Sequence, residues 1–272
     1  GYYSPCPMSS PRGKMINKIY KILLLTLAVL LIFGCDNGPS SKTYLVATDT
    51  TLVPMSFMSV GNDIIGFEPD LIRALAKEAG INIRIINVEW AGLFGGLITN
   101  KFDMVISSVT VLEERKERMA FSEPYLKSGL ALVVRRNQEN IISFEDAKTN
   151  NFLIGAQIGT TAYFFLEKDP AIRKKGYQMY GHAVADLINE EIDAVLGEST
   201  GTLFYKNKHK PLFEKIKMVG EIMTNEHYAI VLRKEDTALL TQVNSALQKI
   251  LKDGTVVRLH KKWDLGQAAQ VP

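Results

Sequence analysis

From residue 44 onward, stretches with a strand pattern alternate with stretches of helical spacing, and this order constrains the fold more than any other feature. Residues 44–48 read as a strand. Residues 70–79 read as a helix, with Leu71, Ile72, Leu75 and Ala79 on one side and Gly80 as its stop. Strand 82–86, helix 90–99 and strand 104–106 follow. A second series runs through strand 130–134, a capping box at 143–146, strand 152–156, a helix opening at Gly159-Thr160-Thr161, strand 177–180, helix 183–189 and strand 194–196. Strand 227–232, helix 237–251 and a last helix towards Trp263 close the chain. Such alternation implies a mostly parallel sheet flanked by helices. The roughly 230 residues involved are enough for two lobes.

Within this order the chemistry concentrates at 102–125, FDMVISSVTVLEERKERMAFSEPY. A short strand leads into hydroxyl residues and then into a helix start, an arrangement suited to an anion. A guanidinium grips a carboxylate with two parallel hydrogen bonds. Ser108, Thr110 and Arg115 therefore form a candidate carboxylate clamp. The alternative is that Arg115 lies on a solvated helix face beside its glutamate neighbours. Residues 121–125 read as a turn.

Asp103, Thr110, Glu114, Arg115, Phe121, Ser122, Pro124 and Tyr125 resemble the signature of the bacterial solute-binding proteins of family 3, the polar amino-acid receptors of ABC importers. Leu112 departs from it where a threonine usually caps the short helix. Further matching pieces are Ala47-Thr48-Asp49 with Pro54, Gly66-Phe67-Glu68-Pro69-Asp70-Leu71, Asp193-Ala194-Val195, and Asp253-Gly254 with Lys262-Trp263. The resemblance covers 44–264. It implies a periplasmic-binding-protein-like α/β fold, with two α/β lobes joined by a two-strand hinge and a ligand cleft between them. Lobe 1 then takes 43–128 and 225–266, lobe 2 takes 129–224, and 267–272 form a tail. Hinges fall near 127–131, where Gly129 adds backbone freedom, and near 223–228.

A free amino acid needs a partner for each buried charge. The resemblance gives the carboxylate to the clamp and to Thr160 and Thr161 from the other lobe, which read otherwise as an ordinary helix cap. It gives the ammonium to Glu198, where the family has an aspartate. Asp49 ends the first strand and reads as a free acid for a side-chain donor. Trp90 reads as a ligand-packing aromatic or a core one, Leu52 stands where an aromatic is usual, and Gln157 lines the same region. The expected ligand is a polar or basic amino acid: glutamine, arginine, lysine or histidine. The expected partners are the permease and ATPase subunits of an importer, with the receptor a monomer and no cofactor or catalytic residue.

The first 35 residues have another character. Lys18 and Lys21 precede the apolar run 22–33, which ends at Phe33-Gly34-Cys35. That run is shorter than the roughly 20 residues of a membrane span and suits a secretion signal. Gly34-Cys35 resembles a lipobox, which makes Cys35 the lipidated N-terminus of an exported protein held at the cytoplasmic membrane, with 36–42 as a tether. Arg12, Lys14, Lys18 and Lys21 lie before Cys35 with no acid among them, so without them the formal charge of +3 becomes −1. Nothing in that balance points to nucleic acid.

Two other functions are conceivable. Gly197-Glu198-Ser199-Thr200-Gly201 is a literal G-x-S-x-G, which would make Ser199 a hydrolase nucleophile with His260 downstream. A few proteins resembling the family are cyclohexadienyl dehydratases, for which Glu198 or Asp49 would supply the chemistry. His182, His209, His227 and His260 show no metal spacing. Lys206 to Lys210 read as a solvated basic run.

Overall fold

The computed structural model describes residues 1–4, 42–201, 203 and 214–272. The expected signal segment, Cys35, the tether up to residue 41 and the basic run 206–210 lie outside the described residues. The chain divides into Gly1–Ser41 and Lys42–Pro272. Of the first unit, residues 1–4 are irregular and exposed. The fold below is that of the second.

Its strands are β1 (Thr43–Thr48), β2 (Thr51–Leu52), β3 (Ser56–Met58), β4 (Ile64–Ile65), β5 (Asn82–Asn87), β6 (Met104–Val105), β7 (Met119–Ser128), β8 (Leu130–Arg135), β9 (Ile154–Gln157), β10 (Lys174–Tyr177), β11 (Ala194–Glu198), β12 (Ile216–Val219) and β13 (Glu226–Arg233). Its helices, among the described residues, are α1 (Phe67–Ala79), α2 (Trp90–Ile98), α3 (Glu113–Lys116), α4 (Phe144–Thr149), α5 (Thr161–Glu167), α6 (Tyr180–Ile188), α7 (Thr237–Lys252) and α8 (Thr255–Lys262).

The strands form two five-stranded sheets, ordered β5-β1-β6-β13-β7 and β10-β9-β11-β8-β12, with β2-β3-β4 as a small third sheet. In the first, β1 runs parallel to both β5 and β6, while β13 is antiparallel to β6 and β7. In the second, β9 is parallel to β10 and β11, and β8 is antiparallel to β11 and β12. The fold is therefore two α/β lobes. Val46, Leu71, Leu75, Ile230, Val243 and Leu247 are among the fully buried residues of one core; Leu132, Val134, Ile154, Leu166 and Leu196 belong to another.

The chain leaves the first sheet at Ser128, enters the second at Leu130, and returns between Val219 and Glu226. Gly129 sits where these crossings touch. A Cβ there would lie 2.1 Å from the Thr224 carbonyl oxygen. Glycine is needed at this point for close approach of two backbones rather than for freedom of rotation.

Three local expectations are corrected. Residues 121–125 are not a turn but the middle of β7, a ten-residue strand. Pro124 is tolerated because β7 is the sheet edge and because the β7–β13 register shifts on either side of its partner Ala229. The strand expected at 177–180 ends at Tyr177, and Tyr180 already opens α6. Helix α1 starts at Phe67 rather than 70, with Pro69 in the first turn, where its missing N–H costs nothing. Strands β2, β3, β4 and β12 are too short to show a period in the sequence.

Candidate functional site

The expected site residues come together. Asp49, Leu52, Trp90, Ser108, Thr110, Arg115, Gln157, Thr160, Thr161 and Glu198 all line one cavity, joined by Thr51, Glu68, Ser107 and Tyr180. Its walls are strand ends and helix starts. Asp49 follows β1, Ser107 and Ser108 follow β6, Gln157 and Glu198 end β9 and β11, and Trp90 and Thr161 open α2 and α5. Carboxyl ends of parallel strands are the usual ligand position in open α/β sheets.

Arg115 is 9% exposed, so it is not on a solvated face. The neighbouring acid Glu113 pairs with Lys116 at 2.7 Å. The Arg115 guanidinium donates from Nη1 to the Thr110 carbonyl at 2.9 Å and from Nη2 to the Gly159 carbonyl, in the other lobe, at 3.1 Å. It lies 5.0 Å from the Phe94 ring centre and 5.8 Å from that of Trp90. Burial lowers its pKa to about 10, against the pull of Glu198, Glu226 and Glu114, so it remains a cation at neutral pH. Only two of the five guanidinium donors are used by these carbonyls. Helix α3 has Leu112 as its N-cap and no side-chain cap bond, in keeping with the missing threonine.

The two hydroxyls assigned to the clamp are already engaged elsewhere. Ser108 has a left-handed backbone, φ 50°, which turns its N–H and Oγ towards Glu68 Oε1. Thr110 Oγ1 donates to Glu226 Oε2 at 2.8 Å. Both residues stand in the cavity wall, but their side chains hold acids in place.

The acids form the opposite end. Glu198 Oε1 lies 2.8 Å from Thr161 Oγ1, and Oε2 accepts from the Tyr228 hydroxyl at 2.9 Å. Glu226 Oε2 lies 2.8 Å from the same Thr161 Oγ1, and Oε1 accepts from Thr224 Oγ1 at 2.9 Å. Burial first, and then the charge of Glu226, raise the pKa of Glu198 to about 8; the bonds from Thr161 and Tyr228 and the charge of Arg115 oppose this.

Asp49 is not a free acid. Oδ1 accepts from the Thr51 N–H at 2.9 Å and the Thr51 hydroxyl at 2.6 Å, and Oδ2 accepts from the Trp90 N–H at 2.7 Å. It serves as a remote cap for α2, whose own N-cap, Glu89, makes no side-chain bond. Trp90 packs edge-on against Phe94 at 5.4 Å and approaches Gly159 so closely that a Cβ there would lie 3.3 Å from its Nε1. Gln157 donates to the Gln178 carbonyl at 2.9 Å, and Thr160 caps α5 through the Tyr163 N–H. Leu52 is half-buried in the wall.

Two acids escaped the sequence reading as site residues. Glu68 is buried and accepts, all on Oε1, from the Ser108 N–H, the Ser108 hydroxyl and the Tyr125 hydroxyl. Burial raises its pKa. An acid set between Phe67 and Pro69 at a helix start could have drawn attention. Glu226 precedes an apolar strand, and nothing in its sequence setting marks it.

The G-x-S-x-G pattern has a packing cause. A Cβ at Gly197 or Gly201 would lie 2.3 or 3.1 Å from the Tyr180 ring. Ser199 is 1% exposed and donates to the Ala268 carbonyl, while His260 Nε2 bonds the Ala269 carbonyl at 2.7 Å. The serine is tied to backbone inside the fold and does not line the cavity.

Among the described residues no helix is long and apolar enough to cross a membrane. The L-cystine-binding protein TcyJ of Escherichia coli (strain K12) is 30% identical over 254 residues, spanning 89% of this chain and 94% of that protein. The arginine-binding periplasmic protein of Mannheimia haemolytica is 29% identical, over 86% of this chain and 95% of that protein. An ancestral arginine-binding protein, solved with arginine, superposes with a TM-score of 0.75 at 32% identity, covering 81% of this chain and 97% of that one. Residues 44–267 match the model of the bacterial extracellular solute-binding proteins, family 3, and the chain belongs to that family.

Proposed function

We propose that this protein is the substrate-binding lipoprotein of an amino-acid ABC importer, capturing a free polar or basic amino acid between its lobes and delivering it to the permease. The observation that carries the reading is the charge content of the cleft. Arg115 meets a carboxylate, while Glu198 and Glu68 in the cavity wall, with Glu226 behind Thr161, exceed what a single ammonium requires. The surplus favours a side chain carrying N–H groups, as in glutamine, arginine, lysine or histidine. Glu68 replaces Asp49 as the acid that meets it, because its three donors all sit on Oε1 and leave Oε2 for the ligand. Arginine- and cystine-binding relatives agree with a ligand of this class. Residues 1–35 act as leader, Cys35 carries the lipid, 36–42 form the tether, and the receptor works as a monomer without enzymatic activity. A thermal-shift panel of the twenty amino acids plus cystine tests the ligand class, since binding to the folded form raises its stability. The largest shift should come from a side chain with N–H donors; the largest shift from glutamate or leucine would sink the assignment. Lipid labelling that persists in Cys35→Ser would remove the anchor.

Glu198 favours a second reading, a cyclohexadienyl dehydratase. A carboxyl with a pKa of about 8 is largely protonated at neutral pH and is able to act as a general acid. Turnover of prephenate or arogenate that disappears in Glu198→Gln would establish it.

A further inference from the structure

The hydrogen count at the acid end of the cleft does not close with two carboxylates. Thr161 Oγ1 carries one proton and stands 2.8 Å from Glu198 Oε1 and 2.8 Å from Glu226 Oε2. A hydroxyl donates once. With both acids ionised, one of these contacts would set lone pair against lone pair.

The other partners decide which acid holds the extra proton. Glu226 takes Thr110 Oγ1 on Oε2 and Thr224 Oγ1 on Oε1, so with Thr161 it accepts from three hydroxyls and suits a carboxylate. Glu198 has one other donor, the Tyr228 hydroxyl on Oε2. Its Oε1 is then free to donate to Thr161 Oγ1, and the threonine passes its own proton on to Glu226. We propose that Glu198 and Glu226 share one proton through the Thr161 hydroxyl, and that capture of the amino acid's ammonium beside Glu198 expels that proton to solvent.

The charged and titratable groups facing the pair agree. Arg115 from α3 acts on both, with Glu114 beside it; Tyr228 from β13 is held neutral, its pKa raised well above normal by burial. One guanidinium does not offset two buried carboxylates, and the pKa of Glu198 is raised by burial first and then by the charge of Glu226. The bridge also spans the molecule: Thr161 opens α5 in one lobe, while Thr110 and Glu226 belong to the other. The balance is simple. The ammonium arrives with its charge, Glu198 loses H+ and becomes its counter-ion, and no redox partner is involved.

This inference rests on the amino-acid-binding reading, and the test separates the two. Calorimetric titration with L-arginine and L-glutamine, in phosphate and in Tris at pH 7, counts the protons released per molecule bound. About one is expected, with affinity rising roughly tenfold from pH 6 to 7 and levelling near pH 8. In Glu226→Gln the second charge is gone while burial still acts on Glu198, so Glu198 ionises at lower pH and the release per molecule bound should fall. Binding enthalpies that do not depend on buffer, or an unchanged release in Glu226→Gln, would overturn the shared proton. The infrared carbonyl band of the protonated carboxyl gives a readout without added amino acid. It should be present at pH 7 and disappear in Glu198→Gln, leaving any contribution of Glu68 behind. If neither amino acid bound, the functional reading would fall while the band still decided the bridge; identical bands in wild type and Glu198→Gln would refute it.

Discussion

The two ends of the cleft handle buried charge in opposite ways. At one end a single guanidinium is held by two carbonyls and two aromatic rings, with no carboxylate in direct hydrogen-bond contact among the described residues. Neutral dipoles solvate it, and it keeps its charge. At the other end Glu198 and Glu226 converge on one threonine hydroxyl, and burial first, then the crowding, makes Glu198 costly to ionise. Burial alone does not decide a group's protonation. The number of like charges sharing the low-dielectric space adds to it. One end keeps a fixed charge; on the proton-sharing proposal, the other adjusts its charge to what arrives.

Removing the fixed charge should have the largest effect. Arg115→Ala should weaken amino-acid binding by about 2–5 kcal/mol, because the ligand carboxylate would be buried short of its main partner. Arg115→Lys should restore only part, since a lysine cannot form the two-pronged contact. Calorimetric titration with the best ligand of the panel measures both, and wild-type affinity in Arg115→Ala would dissolve the contrast between the ends.

The adjustable end should show itself in stability without added ligand. The folded-state pKa of Glu198, about 8, lies above its ordinary value of 4.5. Between those limits the folded form binds the extra proton and the unfolded form does not, so stability falls as pH rises through that window. The slope approaches at most about 1.4 kcal/mol per pH unit for this one group. Urea unfolding from pH 5 to 8 should show the decline, and Glu198→Gln should flatten it. An equal slope in the variant would shift the cause to Glu68.

Both ends depend on the lobes meeting. Gly129→Ala forces a Cβ against the Thr224 carbonyl and should cost about 1–3 kcal/mol, read as a lower melting temperature. An unchanged melting temperature would mean that the crossing yields easily. The smallest effect is expected at Asp49. Asp49→Asn keeps the shape but loses the charge at the start of α2, for about 0.5–1 kcal/mol of stability. The order of amino-acid preference should not change; a reordering would return Asp49 to the ligand.

Much of the architecture was legible because it is written in short-range order. Helices α1 and α7 show their apolar spacing directly, and Gly80 stops α1 in a left-handed cap. The segment carrying Arg115 was legible as chemistry because a guanidinium near a strand end and hydroxyls has few uses. Strand β7 was not legible. Its Pro124 argues against a strand unless the strand lies at an edge, and edges are assigned only when the sheet assembles.

The sequence by itself determined two α/β lobes and the residue types that line the space between them, because periodicity and motif order are local properties of the chain. Only the tertiary structure decided what each polar group is bonded to. It committed Asp49 to the start of α2 and Ser108 to Glu68, and it brought Glu226 from the far end of the chain to Thr161. A carboxylate's role depends on which donors fold against it, and those donors lie far along the chain, as Thr110 does, 116 positions from Glu226.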